Sequence, residues 1–363
     1  MPPAIRNRLR ACRLRIQQNC LDGYLITERA DQFYFTGFDG EDGAALVLRD
    51  RVYLLTDGRF KEEAQRSAGW ARSIVRTGPI AEVLPPLVRR HRLKRIGFNP
   101  DQVSVTAHKA YSKGFRPARL AALPGVSRDL RAIKDSTEIA ALEKAIRIAE
   151  QAFLTVIRRI RVGMTERQVA ADLQHEMLRL GAEAAAFPII VAAGPNSSLP
   201  HAVPGDRRVR RGSAVLIDWG AVHRHYRSDL TRVVFIHRIP PRFRRMYEAV
   251  LAAQSEGIRA IRPGVRMCDV YLRAWERLDE AGLARRFTHG LGHGIGLDIH
   301  EPPSLSKRAV APLKAGMVVT VEPGVYFPGV GGVRIEDDIL VTETGARVLS
   351  RLHKDLDSMV VQS

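Results

Sequence analysis

Five residues in the second half of the chain are of the types that hold divalent metal ions, and most sit where such side chains are costly to leave alone. Asp218 ends the apolar run Val215-Leu216-Ile217, in the string LIDWG. Eleven residues later Asp229 opens another apolar run, in SDLTRVVF. A turn around Ala221–His225 would lay the two runs antiparallel and bring both aspartates together. Glu322 ends the run MVVTVE, and Glu336 lies inside GGVRIEDDILV, where strand alternation puts Arg334, Glu336 and Asp338 on one face. One Asp alone is as well explained as a turn residue. Four acids on two apolar hairpins are not, because an isolated carboxylate in a low dielectric costs many kcal/mol. Arg334 can neutralise one of them, and metal ions are the natural answer for the rest.

Histidines complete the set. His293 sits in THGLGHGIG, where glycines let the backbone pack close to a ligand site. His289 and His300 flank it, and His201 follows Pro200 in NSSLPHAVPG. A lone His would be an ordinary polar residue. One imidazole among four carboxylates suits two hard or borderline divalent ions, Mn²⁺ before Zn²⁺. Such a pair can activate a water and clamp the developing oxyanion of a hydrolysis.

The elements that must position these residues are of mixed type. Ile5–Gln18 has a helical pattern, and Gly23–Ile26, Gly43–Leu48, Val52–Leu55 and Arg95–Phe98 read as short strands, with a helix over Arg59–Ser67. This alternation predicts a small α/β domain. Near residue 135 the character changes: Asp135 and Glu138 make a capping-box start, followed by Ile139, Leu142, Ile146, Phe153 and Ile157 at helical spacing. Thr165 with Gln168 starts a second helix, and longer ones are expected around Phe243–Ile261 and Asp269–Gly282. Two strand pairs lie between and after them, Val215–Ile217 with Thr231–Ile236 and Val318–Val321 with Val333–Val341, an α+β arrangement without repeats or low-complexity linkers.

Bulk properties bound the rest. The chain has 363 residues, 45% hydrophobic and 26% charged, which predicts a globular protein of two domains. No stretch is long and apolar enough for a secretory signal or a membrane span. Cys12, Cys20 and Cys268 are too few and too scattered for a disulfide framework or zinc cage, so a cytoplasmic protein with reduced thiols is expected. The net charge of +18 raises the question of nucleic acid; residues 1–134 carry +12 of it. Aromatics make up only 6% and do not interleave with the basic clusters as a stacking platform requires, so a solvated basic surface is the better reading.

The ordered set Asp218, Asp229, His293, Glu322, Glu336 resembles the metal site of the pita-bread metallopeptidases, which include methionine aminopeptidase, Xaa-Pro aminopeptidase, Xaa-Pro dipeptidase (prolidase) and the metal-free relative creatinase. The strings LPH, IDWG, SDLTR, HGLGHGIGLDIHEPP, TVEPGVY and GGVRIEDD carry the likeness as an ordered set. Residues 136–357 resemble the catalytic domain and 1–133, with YLLTDGRF, the creatinase-type N-terminal domain, so the expected division is 1–133 and 134–363. The resemblance implies two ions per subunit, Mn²⁺ first, with Co²⁺, Zn²⁺ or Fe²⁺ as alternatives. Asp218 and Asp229 would hold one ion, Asp229 and Glu336 would bridge to the second, and His293 and Glu322 would complete its shell. Glu322 would also shuttle a proton. His201, His289 and His300 would line the substrate site, His300 beside the tetrahedral intermediate and His201 near the leaving proline, with Arg334 shaping the proline-side pocket. A homodimer whose N-terminal domains border the partner's active site is implied as well.

Creatinase lacks the five ligands, all present here, and methionine aminopeptidase usually lacks an N-terminal domain of this size. Short proline-containing peptides are the expected substrates. Many prolidases carry an Arg four residues after the His of the HExP string, where it can take a dipeptide's carboxylate; here that position is Ser304, which has no fork of donors. This favours an Xaa-Pro aminopeptidase over an Xaa-Pro dipeptidase, unless Lys307 or Arg308 substitutes. A catalytically silent binding protein and a hydrolase of a non-peptide amide remain as rivals, since the pocket rather than the metal site sets the substrate.

Overall fold

The computed structural model describes residues 1–362, and the chain divides into two compact units, Met1–Arg131 and Ala132–Ser363. The first begins with a helix, Pro3–Gln18, whose buried Ile5, Leu9, Cys12 and Ile16 recur at helical spacing and turn one stripe inward. Six strands follow: β1 (Gly23–Ile26), β2 (Gly43–Leu48), β3 (Val52–Asp57), β4 (Arg72–Arg76), β5 (Arg95–Phe98) and β6 (Arg119–Ala122). They form one sheet in the order β4-β3-β2-β1-β5-β6, antiparallel among β1, β2 and β3 and parallel towards both edges. The helix expected over Arg59–Ser67 runs over Lys61–Ala68 behind a short 3₁₀ turn, Gly58–Phe60.

The second unit repeats one plan twice, a pair of helices and then strands. Helices Ser136–Ile157 and Glu166–Arg179 both start with complete capping boxes, Asp135 with Glu138 and Thr165 with Gln168. They precede β7 (Ile190–Ala193), β8 (Ala214–Trp219), a two-residue hairpin of β9 (Val222–His223) and β10 (Tyr226–Arg227), and β11 (Leu230–Ile236). The β9–β10 turn uses Arg224 and His225 at positive φ, so β8 and β11 pair antiparallel, with Asp218 opposite Thr231. Along β8, Val215, Ile217 and Trp219 face the helix pair; Trp219 stacks on Phe153 at 4.5 Å and donates to the Ala149 carbonyl at 2.9 Å. Ala214 and Leu216 belong to the other core, and Asp218 continues that face.

The second half opens with helices Pro241–Ala260 and Met267–Glu280 and continues through β12 (Gly292–Gly294), β13 (Glu301–Leu305), β14 (Val318–Val321), β15 (Gly324–Phe327), β16 (Gly331–Arg334) and β17 (Asp337–Val341). β14 pairs with β17, and β15 with β16 in a separate ribbon. The run Val333–Val341 is therefore two strands rather than one. It breaks at Ile335–Glu336, because Glu336 bridges to Thr231 of β11 and its carbonyl takes a hydrogen bond from the buried Arg232. Arg334, Glu336 and Asp338 consequently do not share one continuous strand face. No described helix is long and apolar enough to cross a membrane, and all three cysteines are free.

Candidate metal centre

Each acidic or imidazole group of the centre comes from the end of an element or a break in one. Asp218 is carried by β8, Asp229 lies just ahead of β11, His293 is in β12, Glu322 follows β14, and Glu336 fills the gap between β16 and β17. Gly292 lets β12 in close: a Cβ there would lie 1.9 Å from the Thr320 carbonyl oxygen of β14. Gly220, after Asp218, plays the same part against Ser228.

All five line one cavity of about 540 Å³, together with His201, His289, His300 and Arg334. Ligand atoms of Asp229, His293 and Glu336 lie within 4.8 Å of one another. His293 Nε2 is 3.5 Å from Asp229 Oδ2 and 3.4 Å from Glu322 Oε1. Its other nitrogen, Nδ1, donates to the Gly294 carbonyl at 3.1 Å, and burial lowers its pKa to about 4. The ring is therefore neutral, with the Nε2 lone pair turned towards carboxylate oxygens. The imidazole lone pair and the carboxylate oxygens converge there, the arrangement a cation fits.

The carboxylates agree. Burial, followed by the repulsion of Glu336, Asp218 and Glu322, raises Asp229 well above the usual carboxylate range. Burial and the neighbouring Glu322 and Asp218 do the same to Glu336, and burial pushes Glu322 up to about 7. Asp218 is raised by burial against the pull of Arg334, which bonds to its Oδ2; its Oδ1 is buried without a hydrogen-bond partner. Four carboxylates against one guanidinium leave three formal negative charges, a set that divalent cations would satisfy.

Arg334 organises the wall beside them. It donates to Tyr326 Oη at 2.8 Å, to Thr231 Oγ1 at 3.2 Å and to the Pro200 carbonyl at 3.3 Å. His289 Nδ1 donates to the Gly290 carbonyl at 2.8 Å, so Nε2 accepts from the Tyr326 hydroxyl at 2.9 Å. Both nitrogens of His289 are thus engaged within the protein, whereas His201 and His300 are exposed at the cavity. Asp338 does not line the cavity; its Oδ2 accepts the backbone N–H of Asp229 at 3.2 Å. Ser304 lines the cavity, while Lys307 and Arg308 do not.

Sequence reasoning missed several supporting residues. Thr231 donates to Glu336 Oε2 at 2.6 Å, Thr320 to Glu322 Oε1 at 3.2 Å, and Tyr326 joins Arg334 to His289. The alternation along β11 and β14 could have flagged the two threonines as polar residues in apolar strands. Lys134 was equally hidden. Its Nζ meets Glu301, next to His300, at 2.7 Å, with both side chains at most 5% exposed. Lys134→Met removes the cation beside a buried carboxylate and is expected to destabilise the protein by about 3–5 kcal/mol, read in urea unfolding. A shift under about 1 kcal/mol would refute a structural role for this pair.

Comparison with known proteins matches residues 140–343 to metallopeptidase family M24 and residues 8–133 to the creatinase/prolidase N-terminal domain. The chain is 36% identical over 343 residues to an Xaa-Pro dipeptidase of Pyrococcus furiosus, spanning 94% of this chain and 97% of that one. An Xaa-Pro dipeptidase structure from Bacillus anthracis superposes with a TM-score of 0.94 at 33% identity, over 98% of this chain and all of the other. An X-Pro aminopeptidase structure from Thermotoga maritima superposes at 0.90 and 34%, over 96% of this chain and all of the other.

Proposed function

Because the chain belongs to metallopeptidase family M24, with a pita-bread catalytic domain behind a creatinase-type N-terminal one, we propose that it hydrolyses Xaa-Pro dipeptides and releases free proline. The observation that carries this reading is the convergence of Asp229, His293 and Glu336 at a cavity of dipeptide-accommodating size, in a chain similar along its length to Xaa-Pro dipeptidases. The relatives favour the dipeptidase over the aminopeptidase preferred from Ser304 alone.

Asp218, Asp229, His293, Glu322 and Glu336 would hold the metal, two ions by the charge count and Mn²⁺ by the oxygen-rich donor set. When bound, such ions polarise the scissile carbonyl and supply a nucleophilic water near neutral pH. Glu322 takes a proton at its carboxylate and delivers it to the prolyl nitrogen. That nitrogen belongs to a tertiary amide and leaves only when protonated. His300 donates to the developing oxyanion, and His201 contacts the substrate near the leaving proline. Phe187, Pro188, Ile189 and Ile190 give the cavity an apolar wall for a pyrrolidine ring. Arg334, held by Asp218 and Tyr326, fixes that side of the pocket and orients His289 through the tyrosine hydroxyl. The proposed setting is the cytoplasm, with a homodimer as the working form.

An Xaa-Pro aminopeptidase is the second reading, favoured by Ser304 in the cavity wall. The two separate in one assay. Metal-stripped protein is incubated with Ala-Pro, Ala-Pro-Ala or Ala-Ala-Ala, with and without Mn²⁺, and free alanine is followed. Mn²⁺-dependent cleavage of Ala-Pro, with Ala-Pro-Ala cut at least about tenfold more slowly, is expected from a dipeptidase. Preferred cleavage of Ala-Pro-Ala would make the protein an aminopeptidase, and cleavage of none would overturn both readings.

A further inference from the structure

The cavity wall that carries His201 is held by a residue remote from the metal ligands. Glu166, the first residue of its helix, is fully buried. Its Oε1 accepts the Ala193 backbone N–H at 2.8 Å, its Oε2 accepts that of Gly205 at 3.0 Å, and the Asn196 side-chain amide reaches both oxygens at 2.9 and 3.2 Å. Ala193 and Gly205 bracket the segment that supplies Pro200, His201, Ala202, Val203 and Pro204 to the cavity. The helix start reinforces the closure: the N–H groups of Glu166 and Arg167, which have no partner inside the helix, donate to the carbonyls of Arg207 and Gly205 at 3.0 and 3.1 Å.

Much of the tip of this segment is turned to solvent. Val203 is 85% exposed, Leu199 is 56% exposed, and His201 is exposed as well. The first turn of the loop packs on β16, with Ser197 buried and its hydroxyl accepting the Gly332 N–H. Ala202 is buried in the main core, and Arg334 bonds to the Pro200 carbonyl. The two ends of the loop are held by Glu166. Among the described residues no cation pairs with the Glu166 carboxylate; amide donors alone surround it. Bonds to an ionised acceptor are the strong class, so both loop ends are gripped by one rigid group.

We propose that Glu166 is a positioning residue whose buried carboxylate closes the 194–205 loop and thereby sets His201 against the substrate. This rests on the peptidase reading above for its kinetic consequence, though not for the clamp itself. A misplacement of about 1 Å at a substrate-contacting group costs up to roughly a hundredfold in rate. Glu166→Gln keeps the shape but turns an amide hydrogen onto one of the loop's N–H donors, and Asn196→Ala is the milder variant, deleting one donor.

The test is a double-mutant cycle with His201→Ala, using Mn²⁺-loaded protein and Ala-Pro. Glu166→Gln is expected to lower kcat/KM about tenfold, Asn196→Ala about threefold, and each by less than about twofold once His201 is alanine. Bound Mn²⁺ per chain should stay at the wild-type value. The clamp is read without any substrate by elastase cleavage of the 194–205 loop between Ala202 and Val203, the latter 85% exposed, which Glu166→Gln should speed about tenfold. Equal costs in both backgrounds, loss of bound Mn²⁺, or unchanged cleavage of that segment would each overturn the proposal. Inactivity of the wild type on Ala-Pro would instead strike the dipeptidase reading, leaving the cleavage test to decide the clamp.

Discussion

Glu336→Gln is expected to lower kcat/KM for Ala-Pro by well over a hundredfold while the protein still folds. Replacing a residue that only supports a metal ligand already costs roughly 10–100-fold, and Glu336 is proposed to be a ligand itself. The fold should survive for reasons visible at the site. The amide oxygen of Gln can still accept the Thr231 hydroxyl that Glu336 Oε2 now accepts at 2.6 Å. The backbone bonds of Glu336 to Thr231 and Arg232 do not involve its side chain. Glutamine also removes one charge from a cluster in which Glu336, Asp218 and Glu322 each raise Asp229, so the metal-free variant should be at least as stable as metal-free wild type at pH 8. Activity, bound Mn²⁺ by elemental analysis and thermal unfolding check the three parts together. An unchanged rate with unchanged Mn²⁺ content would sink the metal-site assignment, and Glu336→Ala should behave alike apart from losing the Thr231 contact.

How much of this was legible beforehand depended on where a residue's partners lie. Asp218 and Glu336 announced themselves because carboxylates within apolar strands conflict with their own neighbours in sequence, a conflict typical of functional sites. The helix starts at Asp135 and Thr165 were equally plain, since a capping box is complete within four residues. The break between β16 and β17 could not be read, because it is made by Thr231 and Arg232, roughly a hundred positions away. β13 was hidden for the opposite reason: its sequence, Glu-Pro-Pro-Ser-Leu, carries two prolines that argue locally against a strand. Glu166 reads as an ordinary acidic residue in a helix's first turn, and only the return of Gly205 to that helix end gives it a task. The proposed metal ligands were thus visible as local anomalies, whereas the residues that position them were visible only in the folded chain.

Removing the metal should abolish activity and also make stability depend on pH in a particular direction. In the metal-free protein Glu322 is pushed up to about 7, and Asp229 and Glu336 well above their usual range, all chiefly by burial. The same groups titrate near 4 in an unfolded chain. Between those values the folded protein binds more protons than the unfolded one, so stability falls as pH rises through the folded pKa values. His289 and His293, lowered to about 4 by burial, act oppositely, but only between about 4 and their unfolded value near 6.5. The unobscured window therefore opens at about pH 6.5. From there to about pH 8.5 the melting temperature of metal-free protein should drop by several degrees, because each kcal/mol corresponds to about 2–4 °C in a domain of this size. With Mn²⁺ bound, the ligand carboxylates remain ionised in the folded state and their share of this drop should vanish. Asp338, raised chiefly by burial and not among the proposed ligands, should contribute alike to both forms and cancel in the difference. The melting-temperature gain on adding Mn²⁺ should accordingly grow across the window and grow less in Glu336→Gln, which has one raised carboxyl fewer. A gain independent of pH, or one equal in that variant, would mean that the ions bind elsewhere than at Asp218, Asp229, Glu322 and Glu336.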